Sequence, residues 1–397
     1  MSSPTERAKG PGRGTVFAMA LAAGLAVASI YYNQPMLGIM ANAFHDARIS
    51  GWIPTLTQLG YAAGLLFLLP LGDMLERRKL IVVQFGVLAL ALVVMAIAPG
   101  LAVLALASVL VGASATVAQQ IVPFAAILSA PEKRGAAIGT VMSGLLTGIL
   151  LSRTLAGMVS SMSGWRAMFW LAVPLALVGA VLMARSLPAH HPAKKLRYSD
   201  LLGSLIHLWR GEPALRRAAI TQALLFASFS AFWTTLALRL AEPPLHLGAA
   251  SAGLFGIVGA VGVAMAPVAG RVADRRGPAP VIALGAAATM AAWLVFGFWP
   301  GLLGLIIGVV VLDFGVQIAL VSNQHLIYGL HPEYKSRLNT LFMTTMFVGG
   351  ALGSMAAATA WGHGGWRGVC MLGGVLPVGA LLLSLVRRRA RQAPQAH

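Results

Sequence analysis

Long apolar runs, punctuated by short polar and basic clusters, set the pattern of this chain. Residues 80–100 and 301–321 are almost wholly apolar. About 20 mainly apolar residues carry a helix across a bilayer's hydrocarbon core. Lipid offers the backbone no hydrogen-bond partner, so runs of this length read as helices. A β-barrel would show alternating segments of about ten residues instead. The pattern predicts twelve spans, near residues 16–40, 52–72, 79–98, 101–125, 136–158, 166–186, 217–240, 249–270, 279–299, 301–326, 338–360 and 366–386. The expected fold is an all-α membrane protein. Pro99-Gly100 and Trp299-Pro300-Gly301 mark tight reversals between spans. Trp52, Trp165, Trp299 and Trp366 fall near span ends, where indoles commonly anchor at the membrane interface.

The longest polar stretch, 187–216, reads as a linker between an N-terminal half (1–186) and a C-terminal half with a basic tail (217–397). Residues 201–210 could lie on the membrane surface as an amphipathic helix. Arg7, Lys9 and Arg13 precede apolar residues 16–30, as in a signal peptide. No clear cleavage site follows, so the stretch is read as the first span.

Composition agrees with the pattern. Apolar types make up 58% of residues and charged types 10%, against roughly a quarter charged in soluble chains. The net charge of +18 would suit nucleic acid, but its distribution argues otherwise. Every basic residue except Arg48, Arg153, Arg166, Arg239 and Arg367 falls on one side of the predicted spans. That asymmetry predicts both termini and the linker in the cytoplasm, with an even number of crossings. The single Cys370 excludes a disulfide within the chain and a cysteine metal site. His190-His191 lacks a supporting ligand set, so no metal is expected. No phosphate-binding Gly-x-x-x-x-Gly-Lys-Ser/Thr loop is present, and no cofactor is expected.

The chain repeats itself at an offset of 201 residues. Asp73 pairs with Asp274, Pro131-Glu132 with Pro332-Glu333, and Gly164-Trp165-Arg166 with Gly365-Trp366-Arg367. Gly148 pairs with Gly349, and Tyr31-Tyr32 with Phe232-Trp233. A parallel repeat of six helices implies two pseudo-symmetric halves about an axis along the membrane normal.

One repeated element carries chemistry. Residues 70–79 place Gly72, Asp73, Arg77, Arg78 and Lys79 at the turn between the second and third spans. Gly72 would permit a tight turn, and Asp73 would favour the positive end of the following helix. Residues 270–277 repeat the arrangement with Asp274, Arg275 and Arg276. These segments resemble the signature cytoplasmic loop of the major facilitator superfamily. Tyr31-Tyr32-Asn33-Gln34-Pro35, Gly148-Ile149-Leu150-Leu151-Ser152-Arg153, Ser322-Asn323-Gln324 and Ser336-Arg337-Leu338-Asn339-Thr340 resemble a bacterial efflux-permease branch of it. The resemblance implies an inner-membrane transporter, monomeric, whose spans one, four, seven and ten line a central cavity. It assigns a gating role to Asp73, Arg77 and Arg78, with Asp274 and Arg275 as a second copy. Two departures stand against a drug–proton antiporter pattern. Residues 101–124 contain no arginine, and Arg153 stands where a helix-five proline would be.

Full charges deep in the predicted spans are Arg153 and Asp313. A charge at the bilayer centre costs on the order of 3 kcal/mol on insertion scales, so such groups usually face a cavity or a partner. Asp313 lies about 18 Å along its helix, near the midplane. A carboxylate there could bind and release a proton, since burial favours the neutral acid and a cation the ionised form. Arg153 is the candidate counter-charge or anion contact. Either group could equally be structural. The candidate substrate contacts are Tyr31, Tyr32, Asn33, Gln34, Gln119, Gln120, Phe232, Trp233, Gln317, Asn323 and Gln324, seven amides and four aromatic residues, the kind of polar groups that a mostly apolar substrate pocket places among its walls. Interhelical hydrogen bonding would use the same amides.

The expected function is secondary active transport of a small organic molecule by alternating access, with proton-coupled efflux suggested by the resemblance. Uptake by symport or facilitated diffusion, and a membrane sensor or integral membrane enzyme, remain alternatives.

Overall fold

A computed structural model describes residues 12–191, 197–264, 277–331 and 334–392, with the backbone alone for 262–264 and 386–392. Those residues form helices and connecting turns, with no strand among them. Nine of the helical stretches are long and apolar enough to cross a membrane by length and composition. They begin with Ile49–Asp73, formed by α3 (Ile49–Phe67) and a 3-10 turn, and α4 (Arg77–Ile97). Next come α5 (Leu101–Ala115) with α6 (Val117–Leu128), α7 (Arg134–Ser163) and α8 (Trp165–Ser186). In the second part of the chain come α10 (Pro213–Ala241), α12 (Pro278–Phe298), α13 (Leu302–Tyr328) and the long α14 (Lys335–Gln392). Two shorter apolar helices, α1 (Arg13–Ala28) and α11 (Ala249–Ala264), accompany them. Large apolar side chains such as Phe17, Leu90, Leu106 and Leu352 are exposed on the outer surface. A soluble protein avoids so much apolar surface, whereas lipid accepts it.

The first span differs from its expectation of a continuous helix. Helix α1 ends at Ala28, and α2 (Leu37–Ala43) resumes after a turn and a 3-10 segment, Gln34–Met36. Pro35 lacks an N–H, and its ring disfavours α geometry at the residue before it. The break falls on Tyr31-Tyr32-Asn33-Gln34. Helix α14 bends where Gly365 adopts φ 55° and divides it into two arms. Gly164, between α7 and α8, has φ 81°. Both turns use the left-handed region that favours glycine. They stand 201 residues apart, so the sequence offset extends to backbone geometry.

It extends to packing as well. Gly148 of α7 lies against the backbone of Gly24 in α1, and Gly349 of α14 lies against that of Ala223 in α10. A Cβ at either glycine would meet main chain rather than a movable side chain. The linker forms α9 (Tyr198–Gly211), which buries Leu201, Leu205 and Leu208 as one face. Of the expected interface tryptophans, Trp52 and Trp299 are exposed, but Trp165 and Trp366 are buried. Trp165 packs edge-on to Phe169, and the Trp366 indole donates to the Phe296 carbonyl at 3.1 Å.

Candidate functional site

The break in the first span and the middle of α7 meet at one buried cation. The Arg153 guanidinium lies 4.0 Å from the Trp233 ring centroid and 4.6 Å from that of Tyr31, with Phe229 at 6.0 Å. Its Nε donates to Gln34 Oε1 at 2.7 Å. Its Nη1 reaches the Ile149 carbonyl at 3.5 Å, and its Nη2 has no partner. Aromatic faces offset the desolvation of a guanidinium by about 2 kcal/mol when buried. They do not satisfy its N–H groups.

Asp313 of α13 is buried nearby, close enough for the two charges to act on each other. No direct ion pair joins them among the described residues. Asp313 Oδ1 has no hydrogen-bond partner, while the carboxylate lies beside the Trp233 indole. The carboxylate and the Trp233 ring edge meet over Gly259 of α11, where a Cβ would touch both. Gly256, one turn earlier, makes room for the Arg153 side chain in the same way. The space ringed by Gln34, Pro35, Arg153, Trp233 and Ala252 has no room for a water molecule. A buried donor or acceptor without a partner costs about 1–3 kcal/mol, and more when charged. The centre of the molecule is therefore contracted around opposed charges, each with one polar atom left without a hydrogen-bond partner.

Beside this centre runs a polar seam between α3, α10 and α14. Gln58 Nε2 donates to Ser354 Oγ at 3.0 Å, Ser230 Oγ donates to Gln58 Oε1 at 3.3 Å, and Thr234 Oγ1 donates to Ser354 Oγ at 3.0 Å. Thr55 donates to the Ala351 carbonyl, and Tyr61 packs on Phe347. On the facing side, Thr154 of α7 donates to the Gly253 carbonyl of α11 at 3.0 Å. At the other end of α3 a shallow pocket is lined by Pro70, Asp73, Arg77, Gln120, Leu201 and Arg337. There Arg77 Nη2 donates to Asp73 Oδ1 at 2.7 Å, and the Arg77 amide donates to the His190 carbonyl. Asp73 thus pairs with Arg77 and does not cap α4, which starts later with Glu76 as its cap residue. Gly72 sits in a 3-10 turn and is not among the positive-φ glycines.

The predicted site residues separate accordingly. Tyr31, Gln34, Trp233, Arg153 and Asp313 converge at the centre. Asn33 donates to Thr57, Gln119 to Tyr61 Oη and Gln120 to Gln84 Oε1. Asn323 donates to Gln222 Oε1, and Gln324 to Asn339 Oδ1. Gln317 is half-buried on α13. Tyr32 faces an outer groove between α1 and α7, and Phe232 stacks on Phe296 in an aromatic cluster. Arg78 is half-buried beside the Asp73–Arg77 pair. Asp274 and Arg275 lie outside the described residues. Sequence reasoning missed Gln58, Ser230, Ser354, Gly256 and Gly259. The glycine spacing in α11 is visible in the sequence, but nothing there says what the glycines face.

The family model of the Major Facilitator Superfamily matches residues 19–353 and again 218–397. The chain belongs to the major facilitator superfamily. The putative uncharacterized transporter YgaY of Escherichia coli K12 is 44% identical over 367 residues, covering 92% of this chain and 93% of YgaY. A probable transporter of Streptomyces coelicolor is 34% identical over 389 residues, covering 94% and 89%. Among solved structures, the peptide transporter POT in complex with sulfate superposes with a TM-score of 0.78 at 14% identity, covering 98% of each chain. A bacterial homologue of the human lysosomal transporter Spinster, inward-facing and unoccupied, gives 0.75 at 15% identity, covering 94% and 96%. These structural likenesses carry the fold. This superfamily member is a membrane transporter and not an enzyme.

Proposed function

We propose that the protein moves a small organic molecule across a bacterial inner membrane by alternating access, exporting it in exchange for protons. One observation carries the reading: Arg153 Nη2 and Asp313 Oδ1 are buried, opposed in charge and unpartnered around Trp233. Groups left so in a contracted centre are the groups that a substrate or a proton satisfies once the centre opens. Asp313 takes up the proton, Arg153 is the counter-charge or anion contact, and Tyr31, Gln34 and Trp233 shape the pocket. The broken first span supports this assignment, because discontinuous helices build transporter sites near the midplane.

The architecture proposed is twelve spans in two halves, 1–186 and 217–397, joined by the linker 187–216. The nine long stretches, the two shorter helices and the division of α14 at Gly365 support that number. Both termini lie in the cytoplasm and the protein acts as a monomer. The halves part at the α3–α14 and α7–α11 contacts on one side, and at the Asp73, Arg77 and Arg78 turn on the other.

Proteoliposomes loaded with a pH-sensitive dye test the coupling. Small organic solutes are screened for those that drive proton movement, and the pH gradient is then reversed. Asp313→Asn should abolish proton movement while leaving solute binding measurable. Full gradient-driven transport by that variant would refute the coupling role. Solute flux without proton movement in the wild type would favour facilitated diffusion.

A further inference from the structure

A groove runs along the outer surface between α12 and the second arm of α14, open along one side. Its walls are apolar, with Leu294 and Phe298 facing Met371, Val375 and Val378. Phe298 is 87% exposed and Met371 72%, as suits surface that meets lipid chains. Polar groups gather at one end only, where Arg239 and Arg367 line it. Arg239 is tied to the Pro243 and Pro300 carbonyls and to Glu242 at 3.5 Å. Arg367 is exposed and makes no hydrogen bond, ion pair or ring contact among the described residues.

The internal repeat explains why this groove exists. At an offset of 201 residues, Phe169 corresponds to Cys370, Val173 to Gly374 and Ala96 to Gly297. Phe169 is fully buried and fills its position, whereas Cys370, Gly374 and Gly297 line the groove. Arg166 corresponds to Arg367. Its Nη2 donates to the Ala98 carbonyl at 2.9 Å, and its guanidinium lies 4.2 Å from the Trp165 ring centroid. The first copy thus spends its arginine on its own fold and fills the space with a phenyl ring. The second copy leaves the arginine free above an emptied channel.

We propose that this groove is a binding site for an anionic phospholipid, with the headgroup phosphate on Arg367 and an acyl chain along the α12–α14 walls. The length fits. From Arg367 to Val378 the helix rises about 16 Å. One leaflet is about half of the roughly 30 Å hydrocarbon core. A phosphate matches a guanidinium in charge and in bidentate geometry, and in an anionic lipid no headgroup cation competes with Arg367 for it.

The test uses the full chain purified in mixed micelles containing phosphatidylglycerol and phosphatidylcholine with identical acyl chains. Native mass spectrometry reads which lipid stays bound. Phosphatidylglycerol should be retained about fivefold over phosphatidylcholine, the ratio expected for one basic side chain at an anionic headgroup. Arg367→Gln should remove that preference, while Arg48→Gln, an exposed arginine elsewhere, should keep it. Cys370→Phe should reduce the bound lipid of both kinds by refilling the channel. Equal retention of the two lipids by the wild type, or an undiminished preference in Arg367→Gln, would overturn the proposal. Because Arg367 is exposed, that variant decides the matter even if Cys370→Phe fails to fold.

Discussion

Gln34→Leu, alone and combined with Arg153→Met, tests whether the centre is held as described. Gln34 Oε1 is the acceptor for Arg153 Nε at 2.7 Å, and both residues are buried. Replacing Gln34 alone leaves Nε without a partner beside the already unpartnered Nη2. A hydrogen bond to a charged group contributes about 1.5–3 kcal/mol, so the single change should cost about 2 kcal/mol. Arg153→Met removes the same bond and the stacking on Trp233 and Tyr31, and strands the Gln34 carbonyl oxygen. Replacing both ends strands nothing from this bond. The double variant should therefore be more stable than the sum of the singles predicts by about 2 kcal/mol, roughly 30-fold in the unfolding constant. Unfolding by SDS titration in mixed micelles, followed by tryptophan fluorescence, measures all four corners. Additivity within about 0.5 kcal/mol would refute the contact.

Three further outcomes follow. Gly148→Val pushes a side chain into the Gly24 backbone and should lower stability by at least about 1–3 kcal/mol, read by the same titration, while Gly139→Val, with open space at its Cβ position, should not. Arg77→Gln removes the 2.7 Å pair with Asp73 but, at this partly exposed site, should cost under about 1 kcal/mol; crosslinking between residues 73 and 337 should nevertheless report a changed population of the closed turn. Asp46 has its carboxyl held below the usual carboxylate range by hydrogen bonds from Arg48. A depressed acid stabilises the fold above its unfolded value, about 3.9, and loses that contribution as pH falls through its folded value. The melting-temperature difference between wild type and Asp46→Asn should hold from pH 7 to pH 5 and vanish in stronger acid.

The spans were legible because lipid enforces long apolar runs, and the repeat because offsets such as Gly164 and Gly365 survive as identical residues in identical turns. Arg153 and Asp313 stood out because each is a charge with no business in hydrocarbon unless something answers it. The amides were harder. Gln119, Gln120, Asn323 and Gln324 have the composition of a pocket, yet each bonds to a side chain on a neighbouring helix, and hydrogen-bonding capacity alone does not reveal its partner. Tyr31 and Tyr32 are adjacent and chemically alike, but the broken helix sends one to Arg153 and the other to an outer groove. Nor does a helical period predict a break; only Pro35 hinted at it.

That break has a mechanical consequence. From Ser29 to Met36 several amides reach back three residues, Tyr31 to Ala28 and Gln34 to Tyr31 among them. Three residues per turn advance each side chain about 120° around the axis, against about 100° in an α-helix. Rewinding the 3-10 segment Gln34–Met36 into an α-helix would rotate everything beyond it by about 60°. Gln34 would swing off Arg153, and α2 would turn with it. The first span would then serve as a torsion element as well as a wall, with the twist of one short segment opening or closing the contact at the buried cation.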